Sequence, residues 1–162
     1  MGCYGYMSAD NAYGQAWQEV TFGYCGFGWS QTNGSSTDLL VSMDGGIDET
    51  INTMAWRGMY KVIGETNAFI ANIADSPLES ADKLPMGAAA RFCVHWLIIL
   101  AVTYGDVPLK TTPSAHDGVA VPRSPKNEVF ELVRTDWEFA YENLPEKDDD
   151  GFATKWGRRK RI

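Results

Sequence analysis

An all-α fold is what the chain predicts, on three observations. Apolar residues recur at steps of three and four from Ile51 to Ile73. An almost unbroken apolar run fills 92–102, and a second three-and-four stripe of Val129, Val133, Trp137, Ala140 and Leu144 follows Ser124-Pro125. Such spacing places side chains on one face of a 3.6-residue helix.

The elements follow in order. Residues 1–47 are rich in Gly, Ser, Asn and aromatics, with turn signals at Asn33-Gly34-Ser35 and Asp44-Gly45-Gly46, and read as loops around a short helix. A first long helix carries Ile51, Ala55, Met59, Val62, Thr66, Phe69 and Ile73 on one stripe, with Asp48 as its cap and Pro77 closing the segment. A second starts near Pro85, which suits a first turn, and runs to about Thr103 before Gly105 and Pro108. Apolar nearly all round, it belongs between other helices. A third has Ser124 as N-cap and Pro125 as its first residue, and it ends before Pro145. The acidic stretch Glu146–Asp150 reads as a solvated turn, and Phe152–Trp156 as the start of a fourth helix.

The net charge is −7 at pH 7 and is unevenly laid out. No Lys or Arg precedes Arg57, whereas residues 151–162 hold five bases and no acid; without them nine bases face 21 acids, a net −12. A body of that sign is repelled by nucleic-acid phosphates and anionic lipids, so no nucleic-acid partner is expected. The start shows no basic segment followed by an apolar one, so no export signal is visible in these residues, and Cys3 lacks the hydrophobic stretch that precedes a lipid-anchored cysteine. The run at 92–102 contains His95 and falls short of the roughly 20 residues that span a bilayer. Cys3, Cys25 and Cys93 have no metal-ligand spacing, and Cys93 reads as a small buried apolar residue.

Signals for catalysis, metal or cofactor are thin, and neither an enzyme nor a cofactor is expected. His116-Asp117 and Ser124 have the residue types of a triad without a nucleophile elbow. Gly23, Gly26 and Gly28 match no phosphate-binding fingerprint. Glu146, Asp148, Asp150 and Gly151 imitate the first half of a calcium loop, but its twelfth position, which needs a bidentate Glu, is Gly157. His95, alone on an apolar helix, reads as a core histidine.

The better candidates are the aromatics of the first segment: Tyr4, Tyr6, Tyr13, Trp17, Phe22, Tyr24, Phe27 and Trp29. A sugar presents an apolar C–H face to an indole or phenol while its hydroxyls need hydrogen-bond partners, which Gln15, Gln18, Gln31 and Asn33 are placed to supply. Trp17, Tyr24 and Trp29 are the candidate ligand-binding residues. The competing use of these rings is to pack the segment onto the helices or onto a protein partner.

Read in order, Trp56-Arg57-Gly58-Met59-Tyr60, Asn67-Ala68-Phe69-Ile70, Gly87 with Arg91-Phe92, Tyr104-Gly105-Asp106-Val107-Pro108-Leu109, Arg123-Ser124-Pro125 and Asp136-Trp137 with Leu144-Pro145 give the chain a wider likeness. From about Cys3 to Trp156 it resembles an N-terminal portion of the SusD/RagB-like nutrient-binding proteins. The resemblance implies a tetratricopeptide-like helical repeat fold and a surface-exposed lipoprotein of the outer membrane in Bacteroidetes. It also implies a glycan or other nutrient as ligand and a TonB-dependent, SusC-like transporter as partner. The matching residues carry architecture rather than ligand identity, so no ligand contact is transferred from the family.

Two departures stand out against that family pattern. In Gly87-Ala88-Ala89-Ala90-Arg91-Phe92-Cys93-Val94-His95-Trp96 the family's acid and its Leu-Arg-Ala are missing, and the gap from Phe92 to Tyr104 is one residue short. A missing residue in an α-helix rotates the remainder of the helix by about 100°. After Trp156-Gly157 the basic ending Arg158–Ile162 replaces the family's Ala/Leu-rich helix. Both breaks look like shifts of reading frame. The expected layout is one domain over 1–162: an irregular aromatic segment at 1–47, a helical part at 48–157 and an aberrant basic tail at 158–162. The alternatives to a nutrient-binding protein are a stand-alone helical module that binds a protein, or a non-functional truncated fragment.

Overall fold

The computed structural model describes residues 3–25, 28, 41–43, 50–113 and 120–144. Asp48, the acidic stretch at 146–150, the expected fourth helix, the basic tail and the His116-Asp117 pair lie outside them. The chain forms two compact units, Met1–Val62 and Ile63–Ile162.

In the first unit, α1 (Cys3–Met7) is followed by a π turn over Asp10–Gly14 and by α2 (Ala16–Tyr24). The backbone here is more helical than its Gly and Ser content suggests. Ala12, Ala16 and Val20 supply the reason, since they recur every fourth residue and all three are buried. The long helix α3 (Thr50–Ile73) begins in this unit and buries Ile51, Ala55, Met59 and Val62 on the stripe that the spacing predicts. Gly58 stands where the π turn meets this helix: a Cβ there would lie 1.7 Å from the Asn11 carbonyl oxygen. Only hydrogen at Cα permits so close an approach of two backbones.

The second unit opens with the rest of α3, where Thr66 and Asn67 are buried. A turn after Ile73 is held by the Ser76 hydroxyl, which donates to the Ile73 carbonyl at 2.8 Å, and by Lys83 Nζ, which donates to the Ala74 carbonyl at 2.7 Å. Helix α4 then covers Ser80–Phe92 with Glu79 as N-cap. It starts well before Pro85, which sits inside the helix rather than in its first turn. The residues ahead of the proline carry the start, and Asp82 in the first turn complements the helix dipole.

A 3₁₀ turn at Cys93–His95 links α4 to α5 (Trp96–Tyr104). Three 3₁₀ residues advance about 6 Å in one full turn, while four α residues advance about 6 Å in about 400°. Its three residues therefore rise as far as four α residues would and differ from them in phase by about 40°. Trp96, Leu97, Leu100 and Ala101 are all buried. The segment Asp82–Tyr104 is long and apolar enough to cross a membrane by length and composition. Here α4 and α5 both pack on α6 (Lys126–Asn143), with Ala88, Ala140 and Leu144 in one buried cluster.

Three polar contacts tie this unit together. Arg91 Nη1 donates to Asp136 Oδ1 at 2.6 Å, and the guanidinium stacks 4.6 Å from the centre of the Phe139 ring. Asp136 keeps 8% of its side chain exposed and Arg91 36%. Burial raises the Asp136 carboxyl above its ordinary value, opposed by the hydrogen bond and charge of Arg91. Asn67 Nδ2 donates to the Lys110 carbonyl at 2.9 Å, holding the chain that leaves strand β1 (Val107–Pro108).

The third contact corrects an expectation. Ser124 is not the cap of α6; it lies in β2 (Arg123–Ser124), paired antiparallel to β1 in the register Val107 to Ser124 and Pro108 to Arg123. Pro125 is the N-cap, and the Lys126 N–H donates instead to Asp106 Oδ1 at 3.0 Å. A carboxylate at that end satisfies an orphan donor and complements the dipole. Gly105, at φ +77°, provides the left-handed step that ends α5 just before it. Asp106→Ala is expected to lower stability by about 1 kcal/mol, and Asp106→Asn by less, in urea titrations. An Ala variant as stable as the parent would show that the cap contributes nothing.

Candidate functional site

The first unit holds the aromatic residues singled out from the sequence. Helix α2 turns Ala16 and Val20 inward, which leaves Gln18, Thr21, Phe22 and Cys25 on its exposed side and Trp17 half-buried at the edge of that side. The face is knit by local bonds. Gln15 Nε2 donates to Glu19 Oε1 at 2.6 Å, Gln18 Nε2 to the Tyr13 carbonyl at 2.7 Å, and the Thr21 hydroxyl to the Trp17 carbonyl at 2.9 Å. The two glutamines thus spend amide donors inside the segment while their amide oxygens remain acceptors. Tyr13, half-buried, has its phenol pushed above the usual range by burial.

Of the three candidate residues, Trp17 is placed on α2, at the edge of its exposed side. Tyr24 closes that helix, but its side chain lies outside the described residues, and so does all of Trp29. Gln31 and Asn33 also lie outside them. Among the described residues of this segment the exposed ring is Phe22, 61% accessible and flanked by Gly28, where a Cβ would sit 3.1 Å from its Cδ1.

Sequence reasoning passed over a second group of rings. On α3, Trp56 and Tyr60 are one turn apart with ring centroids 4.9 Å apart and planes tilted 49°. Both are half-buried, and exposed Arg57 and Lys61 follow them round the helix. Lys61 Nζ lies 5.1 Å from the centre of the Tyr6 ring on α1. The signal was available: two aromatics four residues apart, each followed by one of the chain's first basic residues. Among the described residues no group of three His, Cys, Asp or Glu side chains is gathered as for a metal ion. Cys25 is exposed and Cys93 buried, and both are outside any disulfide.

Comparison with known proteins adds four findings. Residues 9–157 match the model of a SusD-like family described as starch-binding and associating with the outer membrane. A SusD-like protein of Bacteroides ovatus is 27% identical over 120 residues, which is 70% of this chain and 21% of that one. A SusD superfamily crystal structure from Bacteroides thetaiotaomicron superposes with a TM-score of 0.78 at 22% identity, over 95% of this chain and 38% of that one. A crystal structure with xylogluco-oligosaccharide gives 0.73 at 24% identity over 87% of this chain and 30% of that one. The likeness to the solved structures is one of fold, and it shows the helical architecture of the SusD-like proteins. The chain spans from about a fifth to under two-fifths of the length of these relatives.

Proposed function

The chain belongs to the SusD-like family, and from that premise we propose that it is the N-terminal helical part of a glycan- or nutrient-binding protein at the outer-membrane surface. Its partner in this reading is a TonB-dependent, SusC-like transporter, and its role is capture rather than catalysis. The observation that carries the reading is the family match over 9–157, to a family described as starch-binding and associating with the outer membrane. The xylogluco-oligosaccharide in one relative of like fold supports a saccharide as ligand.

In this reading Trp17, Tyr24 and Trp29 offer ring faces to the C–H face of a sugar. Planar aromatics suit the task because they bring large contact area with little rotamer entropy to lose. Isothermal titration with maltoheptaose, xyloglucan and laminarin oligosaccharides tests it. Saturable binding of at least one, weakened about tenfold in Trp17→Ala with the melting temperature unchanged, is the expected result. Flat titrations with every saccharide would sink the reading, and full affinity in Trp17→Ala would remove that residue from the site.

A further inference from the structure

Within Met1–Val62 the basic residues are Arg57 and Lys61 alone. They stand one turn apart on α3, with Cβ atoms about 5–6 Å from each other on one side of the helix. Both are exposed, and the ion pairs among the described residues include neither of them. Glu65, the next turn along from Lys61, makes no ion pair with it. Lys61 contacts the Tyr6 ring, yet in a protein of net charge −7 neither exposed cation enters those ion pairs.

Their surroundings are aromatic. Tyr6 lies beneath Lys61, and the Trp56–Tyr60 pair occupies the adjoining row of α3, with half-buried Thr53 between that row and Arg57. Arg57 presents a planar fork that matches a carboxylate or sulfate bidentately. The rings beside it offer flat apolar area of the kind a pyranose covers. A neutral sugar would leave both charges unused, and a bare anion would leave the rings unused. A ligand that is both a sugar ring and an anion uses the whole patch.

We infer that the surface formed by Tyr6, Trp56, Arg57, Tyr60 and Lys61 binds acidic saccharide units, uronate or sulfated, with the anionic group on Arg57 and Lys61 and the sugar ring against the neighbouring aromatics. The inference rests on the glycan-binding reading and narrows its substrate class. The anionic group is shared chemistry; its source, carboxylate or sulfate, is separated by experiment.

The test is calorimetric titration of the chain with oligogalacturonate, a chondroitin sulfate oligosaccharide, maltoheptaose and inorganic polyphosphate, at low and high salt. Tighter binding of one or both acidic saccharides than of maltoheptaose is expected, weakening as salt rises because the contacts are exposed. The double variant Arg57→Gln/Lys61→Gln should lose about tenfold or more in affinity for the acidic saccharide. Its helical circular-dichroism signal and its maltoheptaose titration should be unchanged, whereas its melting temperature falls slightly with the loss of the Lys61 contact to Tyr6. Equal affinity for neutral and acidic saccharides, undiminished acidic binding in the double variant, or polyphosphate bound as tightly as the saccharide would each overturn the inference. The first of these leaves the general glycan reading standing, whereas the binding of no saccharide at all removes both.

Discussion

Gly58→Ala should destabilise the protein by about 2 kcal/mol, although alanine is intrinsically the better helix former. Two effects of opposite sign compete. In an exposed helix interior the exchange gains about 1 kcal/mol from backbone entropy. Against it stands a Cβ that would fall 1.7 Å from the Asn11 carbonyl oxygen, 2.4 Å from its carbon and 3.0 Å from its Cβ. Ordinary contact between such atoms is about 3.5 Å, so the π turn must retreat by well over about 1 Å. Its obstacle is backbone, which cannot swing aside as a flexible side chain can. Overpacking alone costs about 1–3 kcal/mol in the usual case, and this clash lies at the severe end. The measurement is a urea denaturation of both proteins, joined to limited proteolysis of 8–15. Faster cleavage there with α-helical signal retained is expected; a variant with the parent's midpoint and cleavage rate would refute the close approach.

Arg91→Ala should cost about 2 kcal/mol at neutral pH, and much of that should be regained in acid. Removing one member of a buried ion pair costs about 3–5 kcal/mol. The lower figure applies because Arg91 is 36% exposed and solvent screens part of the interaction. What remains is Asp136, a carboxylate with 8% of its side chain exposed and no guanidinium opposite. Even with Arg91 present, burial holds the Asp136 carboxyl above its ordinary value. The folded state therefore binds this proton more tightly than the unfolded chain does. Its stabilising share is full below the unfolded carboxyl value and is lost as pH rises through the raised folded value. Loss of Arg91 removes the two influences that lower that value and so widens the window upward. The expected result is a difference between parent and Arg91→Ala that shrinks as pH falls toward the carboxylate range. Asp136→Asn keeps an acceptor for Arg91 without the buried charge, and the double variant Arg91→Ala/Asp136→Asn should recover most of the loss. A deficit that is the same at every pH would instead assign the cost to packing on Phe139.

Much of this architecture is legible in the residues. Ile51, Ala55, Met59, Val62 and Thr66 are buried as their spacing predicts, and so are Val129, Val133, Ala140 and Leu144. Stripe periodicity reports burial because packing needs one continuous face. It does not report where a helix begins or what finishes its ends. Pro85 has the right character for a first turn and lies inside α4, and Ser124 resembles a cap but belongs to β2. The donor of Lys126 is met by Asp106, twenty residues away, and no local rule points there. Asp136 is hidden for a similar reason. A charged residue on a predicted helix reads as solvent-facing until its partner on another helix is known.

The candidate site was legible in residue type and not in placement. Aromatic content directed attention to residues 4–29, and Trp17 is placed there on α2. Composition does not say which ring faces water, so the open position of Phe22 was not foreseen. The late appearance of positive charge at Arg57 was evident in the sequence as an imbalance of charge. Its meaning as a local patch depends on Tyr6 lying under Lys61, a contact between residues 55 positions apart.

The pairing of β1 with β2 has a consequence for how such a protein diversifies. Residues 109–113 leave β1 and residues 120–122 lead into β2 through one clamp. Its base is closed by the two paired strands and by the Asp106 bond to Lys126, and its early part is held by Asn67. The closure cost of a change in length beyond that base is small, since doubling a closed loop adds only about 0.6 kcal/mol. Evolution can therefore rewrite this connection, and lengthen or shorten it, while the neck that carries it stays fixed.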